Sequence, residues 1–184
     1  MRAFSLSMIA TLVLSAAEAS AMPVSSSSLV PRSQCANAPS TVAGTPLGRR
    51  DIITARSLNP SHPRAIANTV WCAPHSQTYV IITLTRQIAA PIILQLLDDA
   101  HSTVLGHIAI HGDGLIFDGQ FNWAGAAGLM LKTANANNHQ QTWGVLAAAL
   151  EALLEFMRQN QMVAGAAIFS IFDGRNLVGL GSIG

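Results

Sequence analysis

The stretch HIAIHGDG, His107 to Gly114, places two histidines four positions apart, with Asp113 and Asp118 close behind. On a helix, i and i+4 side chains share a face, so His107, His111 and Asp113 are the residues that could hold a metal ion. No glutamate follows His107 where a metalloprotease would keep its base, and Gly112 and Gly114 end any helix here. The favoured reading is therefore a structural turn, with His111 placed where a helix C-terminus accepts a cation. Asp98 and Asp99 are consecutive, and neighbours on a helix point apart, so they do not form a carboxylate pair sharing a proton. His139 has no acidic or nucleophilic neighbour in sequence. Ser170 lies in a strand-like run and not in a G-x-S-x-G elbow. The glycines of GLGSIG have no helix after them to receive phosphate, and they mark a closely packed or edge strand. No catalytic residue and no cofactor is assigned.

Two other residue pairs carry chemistry of a different kind. Cys35 and Cys72 are the only cysteines. In an oxidising compartment they have one intramolecular pairing, against the alternative of two free or intermolecular thiols. Arg49-Arg50 is the only adjacent basic pair in a chain with a single lysine, Lys132. At the end of a Pro/Gly segment it reads either as a convertase cleavage site, making Asp51 a new N-terminus, or as a solvated pair in a linker. With Cys35 and Cys72 joined first, such a cut nicks the chain without releasing what precedes it. LVPRS, Leu29 to Ser33, is read as ordinary linker. Trp143 reads as core, while Trp71 and Trp123 are candidates for exposed contacts.

The beginning of the chain supplies the compartment. Arg2 precedes an apolar run, Phe4 to Ala17, and Ala19-Ser20-Ala21 is a small-x-small site. That is the layout of a signal peptide cut after Ala21, too short to span a bilayer. No later stretch reaches spanning length, so no membrane anchor is expected. Charged residues make up 10% of the chain and the formal net charge is +1, which lacks the electrostatic footprint of a nucleic-acid binder. No Asn-x-Ser/Thr sequon is usable, since Asn59 is followed by Pro60.

The elements follow from periodicity. Residues 22–65, rich in Ser, Pro, Ala and Gly, read as a disordered leader. The single folded domain is expected over 66–184. Thr78–Thr85 is β-branched and reads as a strand. Pro91 opens a helix to about Leu105, with Ile93, Leu96, Leu97, Ala100 and Val104 on one face. Two short strands flank a turn at Gly125–Gly128, and Asn138 with Gln141 resembles a capping box. Trp143, Leu146, Ala147, Leu150, Leu153, Leu154 and Met157 form the apolar face of a second helix. Ala166–Phe172 and Leu177–Ile183 are strands joined by the turn Asp173–Asn176, the last strand expected at the sheet edge. The fold class is α+β: a two-layer sandwich of two helices on one face of a mainly antiparallel sheet of four or five strands, a split βαβ, ferredoxin-like pattern.

NANNHQQTWGVL before the second helix and the ending SIFDGRNLVGLGSIG resemble small secreted proteins of filamentous ascomycete fungi, effector-like and largely uncharacterised. The resemblance spans about Pro91 to Gly184. It implies export and a shared fold, with a kexin-type cut at Arg49-Arg50, and assigns no catalytic residue. The two cysteines set this chain apart from the cysteine-rich effector groups. The expectation is a secreted, extracellular, non-enzymatic protein acting on an unknown extracellular or host protein. The alternatives are a killer-like toxin, 51–184, freed by a cut after Arg50, and a metal-dependent hydrolase built on His107, His111, Asp113 and Asp118.

Overall fold

The fold is taken from a computed structural model that describes residues 33–48 and 68–184. Ala21, Arg49 and Arg50, and with them the signal peptide and the dibasic site, lie outside the described residues.

The chain order is β1 (Gln34–Cys35), β2 (Ala38–Val42), β3 (Thr69–Cys72), β4 (Thr78–Gln87), α1 (Ala90–His111), β5 (Gln120–Ala124), β6 (Met130–Asn135), α2 (Trp143–Gln159), β7 (Gly165–Asp173) and β8 (Asn176–Ile183). β1 and β2 form a small two-stranded sheet, and the other six strands form one sheet in the order β3-β4-β7-β8-β6-β5. All its pairings are antiparallel. The strand count is thus six, a correction to the four or five expected. The short TVWC segment adds the extra strand by pairing with Tyr79–Ile82.

α1 buries Ile93, Leu96, Leu97, Ala100 and Val104, the five positions its spacing selects. It runs six residues past Leu105 because Gly106 is tolerated within it. Gly112, at φ 81°, stops it by donating its N–H to the Ile108 carbonyl. α2 buries Leu146, Ala147, Leu150, Leu153, Leu154 and Met157 together with Ala149, Ala152 and Phe156. These side chains share one core with alternate strand positions: Val80 and Ile82, Leu131, Phe169 and Ile171, and Ile183. The arrangement is compatible with a two-layer sandwich. Ile168 faces away from Phe169, as alternation requires, and it is exposed together with Leu180.

Three further differences have physical causes. β8 pairs on both sides, with β7 and with β6, and is not an edge strand. Its glycines make this possible: a Cβ on Gly181 would strike the Phe169 ring, and one on Gly179 would strike the Gln141 amide. The cap of α2 is Thr142, whose Oγ1 accepts the Val145 N–H at 3.3 Å. Asn138 and Gln141 do not cap it, for Gln141 is fully buried against Gly179.

The third difference concerns residues 33–48, which belong to the fold and not to a disordered leader. Cys35, Ala38 and Leu47 are buried with Cys72 in a second small core, against which Tyr79 and Ala43 pack. The Ala36 N–H donates to the Val70 carbonyl at 2.8 Å, and Leu47 exchanges backbone bonds with Ser76 and His75. The composition of this stretch is that of a linker, but Cys35, Ala38 and Leu47 and a covalent tie supply the burial that periodicity did not.

Candidate functional site

The residues singled out at the end of α1 are near one another but are engaged in different tasks. His107 and His111 lie one turn apart with ring centroids separated by 4.7 Å. The His107 ring stacks on the Trp143 indole at 4.0 Å. Trp143 meets Phe121 edge-on at 6.0 Å, and Phe121 lies parallel to Trp123 at 6.5 Å. His107 therefore faces an aromatic column that reaches β5. Asp113 turns to the start of α2: its Oδ1 accepts the Gly144 N–H at 2.7 Å and its Oδ2 the Thr142 hydroxyl at 3.3 Å. A carboxylate is well placed there, where the helix presents free N–H groups and the positive end of its dipole. Trp143 N–H to the Gly114 carbonyl and Ile116 N–H to the Gln141 carbonyl fasten the same loop. Asp118 sits beyond the loop at φ 53°, exposed, just before β5. Among the described residues, no three His, Cys, Asp or Glu side chains are grouped so as to hold a metal ion.

A cleft of about 400 Å³ that the sequence did not announce opens where α1 and α2 meet the β3–β4 turn. Pro74, Asp98, His101, Glu151, Glu155 and Arg158 line it. Burial holds the His101 imidazole below its usual range; Glu151 and Asp98 act against that shift, and Arg158 adds to it. Asp98 is paired with Arg158 at 2.7 Å, so it has no partner role with Asp99. Glu155 is pinned on both oxygens: Oε2 accepts from Trp71 Nε1 and Asn37 Nδ2, each at 3.1 Å, and Oε1 accepts from Gln159 Nε2. The cleft's charges are thus mostly spent within the protein. The signal that could have located it is the i, i+3 and i, i+4 spacing of Asp98 with His101 and of Glu151 with Glu155.

Trp71, a candidate surface contact, is instead 1% exposed and packs edge-on against Phe156 at 5.3 Å. Trp123 and Trp143 are half-buried at the edge of the core. Ser170 is half-buried in β7 opposite Leu180, and His139 is exposed on the loop after β6.

The firmest chemical feature is the Cys35–Cys72 disulfide, with Cα atoms 5.6 Å apart and both residues 1% exposed. Asn37, two residues on, is fully buried. Its side chain brackets the Cys72 backbone, accepting the N–H at 3.2 Å and donating to the carbonyl at 2.9 Å. One atom further, the same Nδ2 reaches Glu155 of α2. This side chain and the covalent bond, with the Ala36 N–H bonded to the Val70 carbonyl, join β1–β2 to β3 and α2.

Fold and site together define a small α+β protein closed by a buried disulfide. No protein-family model, no curated protein and no solved structure matches this chain. No helix among the described residues is long and apolar enough to cross a membrane.

Proposed function

We propose that this chain is an exported, non-enzymatic protein that acts on an extracellular or host target, as in the small secreted ascomycete proteins it resembles. The observation that carries this reading is the buried Cys35–Cys72 disulfide, because structural disulfides persist in oxidising compartments. The apolar run before Ala21 agrees with it. Exposed apolar side chains in the last turn of α1 and just after it also support a binding role: Ile110 is 78% and Phe117 84% exposed, with Leu115 between them. At the level of fold, the succession β4-α1-β5-β6-α2-β7 supports a ferredoxin-like relation in chain order, with the β7–β8 hairpin set between β4 and β6.

The engagement of Asp113 at α2 takes support away from the metal-dependent hydrolase. The toxin reading changes form. A cut after Arg50 leaves 22–50 joined to 51–184 through the disulfide, so a processed product is a two-chain molecule and not free 51–184. The test is recovery of the protein from culture medium of its native source, followed by application of the purified, oxidised chain to plant tissue. A response to the oxidised chain that the reduced, heat-unfolded chain does not elicit supports the reading. Retention of the chain inside the producing cell, or no response at all, overturns it.

A further inference from the structure

The two cores of this domain are unequal, and the smaller one is closed by a single covalent bond, Cys35–Cys72. Residues 33–48 contribute Cys35, Ala38 and Leu47 to a cluster completed by Cys72, separate from the main core that the helices and the sheet share. Of the segment's side chains, Ala36 packs against the main core and Asn37 reaches α2. Its tip approaches the β7–β8 turn: Gly44, at φ 84°, lies so near the Gly174 carbonyl that a Cβ would overlap it. A two-stranded ladder of this size is marginal in water by itself. The entropy lost on ordering it must be met by docking.

We propose that residues 33–48 form a redox-held strap, docked over the Cys72–Tyr79 end of the sheet while the disulfide is intact and released when it is reduced, with the main core remaining folded. The reaction consumes two equivalents of a small thiol. One thiolate attacks a cystine sulfur to give a mixed disulfide and one protein thiol. A second thiolate attacks the reductant's sulfur in that mixed disulfide and expels the remaining cysteine thiolate, which takes up a proton, leaving Cys35 and Cys72 as thiols and the reductant as its disulfide. Because both cysteines are 1% exposed, a thiol reaches the sulfurs only after the strap has begun to open. Asn37 thus gates the rate of reduction. Release uncovers Cys72, the Trp71 indole N–H with its Glu155 partner, and Tyr79, which stacks on Phe172 at 4.8 Å. This inference rests on the pairing of Cys35 with Cys72, and not on where the protein acts.

The chain contains one tyrosine, which makes Tyr79 a built-in reporter. Burial raises its phenol pKa, and loss of the strap relieves that burial. The experiment compares oxidised protein, protein reduced with dithiothreitol and the Cys35→Ser/Cys72→Ser double variant, by amide hydrogen exchange and by the ultraviolet titration of tyrosinate. In the reduced and double-variant forms, exchange at Ala36 and Leu47 is expected to accelerate at least tenfold. Val80–Leu84 and Ala167–Ile171 should keep their protection, and the tyrosine should titrate at lower pH. With the disulfide intact, Asn37→Ala should speed reduction by dithiothreitol several-fold. Unchanged protection at Ala36 and Leu47 after reduction is verified by thiol alkylation would overturn the proposal. So would simultaneous loss of protection in all elements. If the double variant does not fold, the reduced wild-type chain decides between these outcomes.

Discussion

Asn37→Ala should destabilise the domain more than any other single substitution at a polar residue of the 33–48 segment. The side chain makes three hydrogen bonds in a fully buried position: one from the Cys72 N–H, one to the Cys72 carbonyl and one to the Glu155 carboxylate. A neutral bond contributes about 1 kcal/mol net and a bond to a charged group about 1.5–3 kcal/mol, and a buried partner left bare costs about 1–3 kcal/mol. Cys72 would lose partners for both its backbone groups. Glu155 would keep Trp71 and Gln159, which reduces the third loss. The expected change is about 3 kcal/mol. Urea unfolding of the oxidised protein, followed by tryptophan fluorescence, measures it; Trp71 sits beside the perturbation, and an unchanged m-value would show that compactness is retained. Asn122→Ala, on the exposed face of β5, is the control and should fall within about 0.5 kcal/mol of wild type. A loss below about 1 kcal/mol for Asn37→Ala would refute the claim that this segment is integral to the domain.

Gly165→Ala should cost about 2–3 kcal/mol, because a Cβ there would overlap the Arg86 carbonyl oxygen across the β4–β7 ladder; Gly114→Ala, with open space around it, should be close to neutral by the same unfolding assay. Arg158→Ala removes an ion pair whose side chains are 55% and 50% exposed, so it should cost no more than about 0.5 kcal/mol, with the effect fading at high salt. His101 binds its proton less readily in the folded protein than in the unfolded chain, because burial disfavours the charged form. The unfolded state then holds more protons just below the unperturbed pKa of about 6.5, so stability should rise with pH through that window and fall as the solution is acidified. His101→Gln should flatten this slope in chemical unfolding measured across mildly acidic pH; an equal slope in the variant would assign the effect elsewhere.

Both helices were legible because their apolar residues recur at a single period. All five core positions expected of α1 are buried, and so are six of the seven expected of α2, Trp143 being half-buried. The β7–β8 hairpin was legible from alternation and from the Asp173–Asn176 turn. What could not be read were features made by contacts distant in sequence. Asn37 bonds across 35 residues to Cys72 and across 118 to Glu155, and nothing in ANAPS marks it as buried. Asp113 looks like a ligand beside two histidines, but its partner Gly144 is 31 residues away. The interior place of β8 depended on what its glycines fit against, Phe169 and Gln141, and glycine in a strand fits an edge equally well before those neighbours are known. Trp71 reads as a surface contact until Glu155 is seen to receive its N–H. The cysteines were the one long-range contact the sequence offered directly, since two cysteines leave a single intramolecular pairing.

Disulfide mapping of the native protein, with its intact mass and N-terminal sequence, tests export and covalent closure together. Recovered from medium, the chain should begin at Met22, lack free thiols and yield a cross-linked peptide containing Cys35 and Cys72, whether or not it is cut after Arg50. Recovery from the cytosol beginning at Met1 with two alkylatable thiols would contradict it.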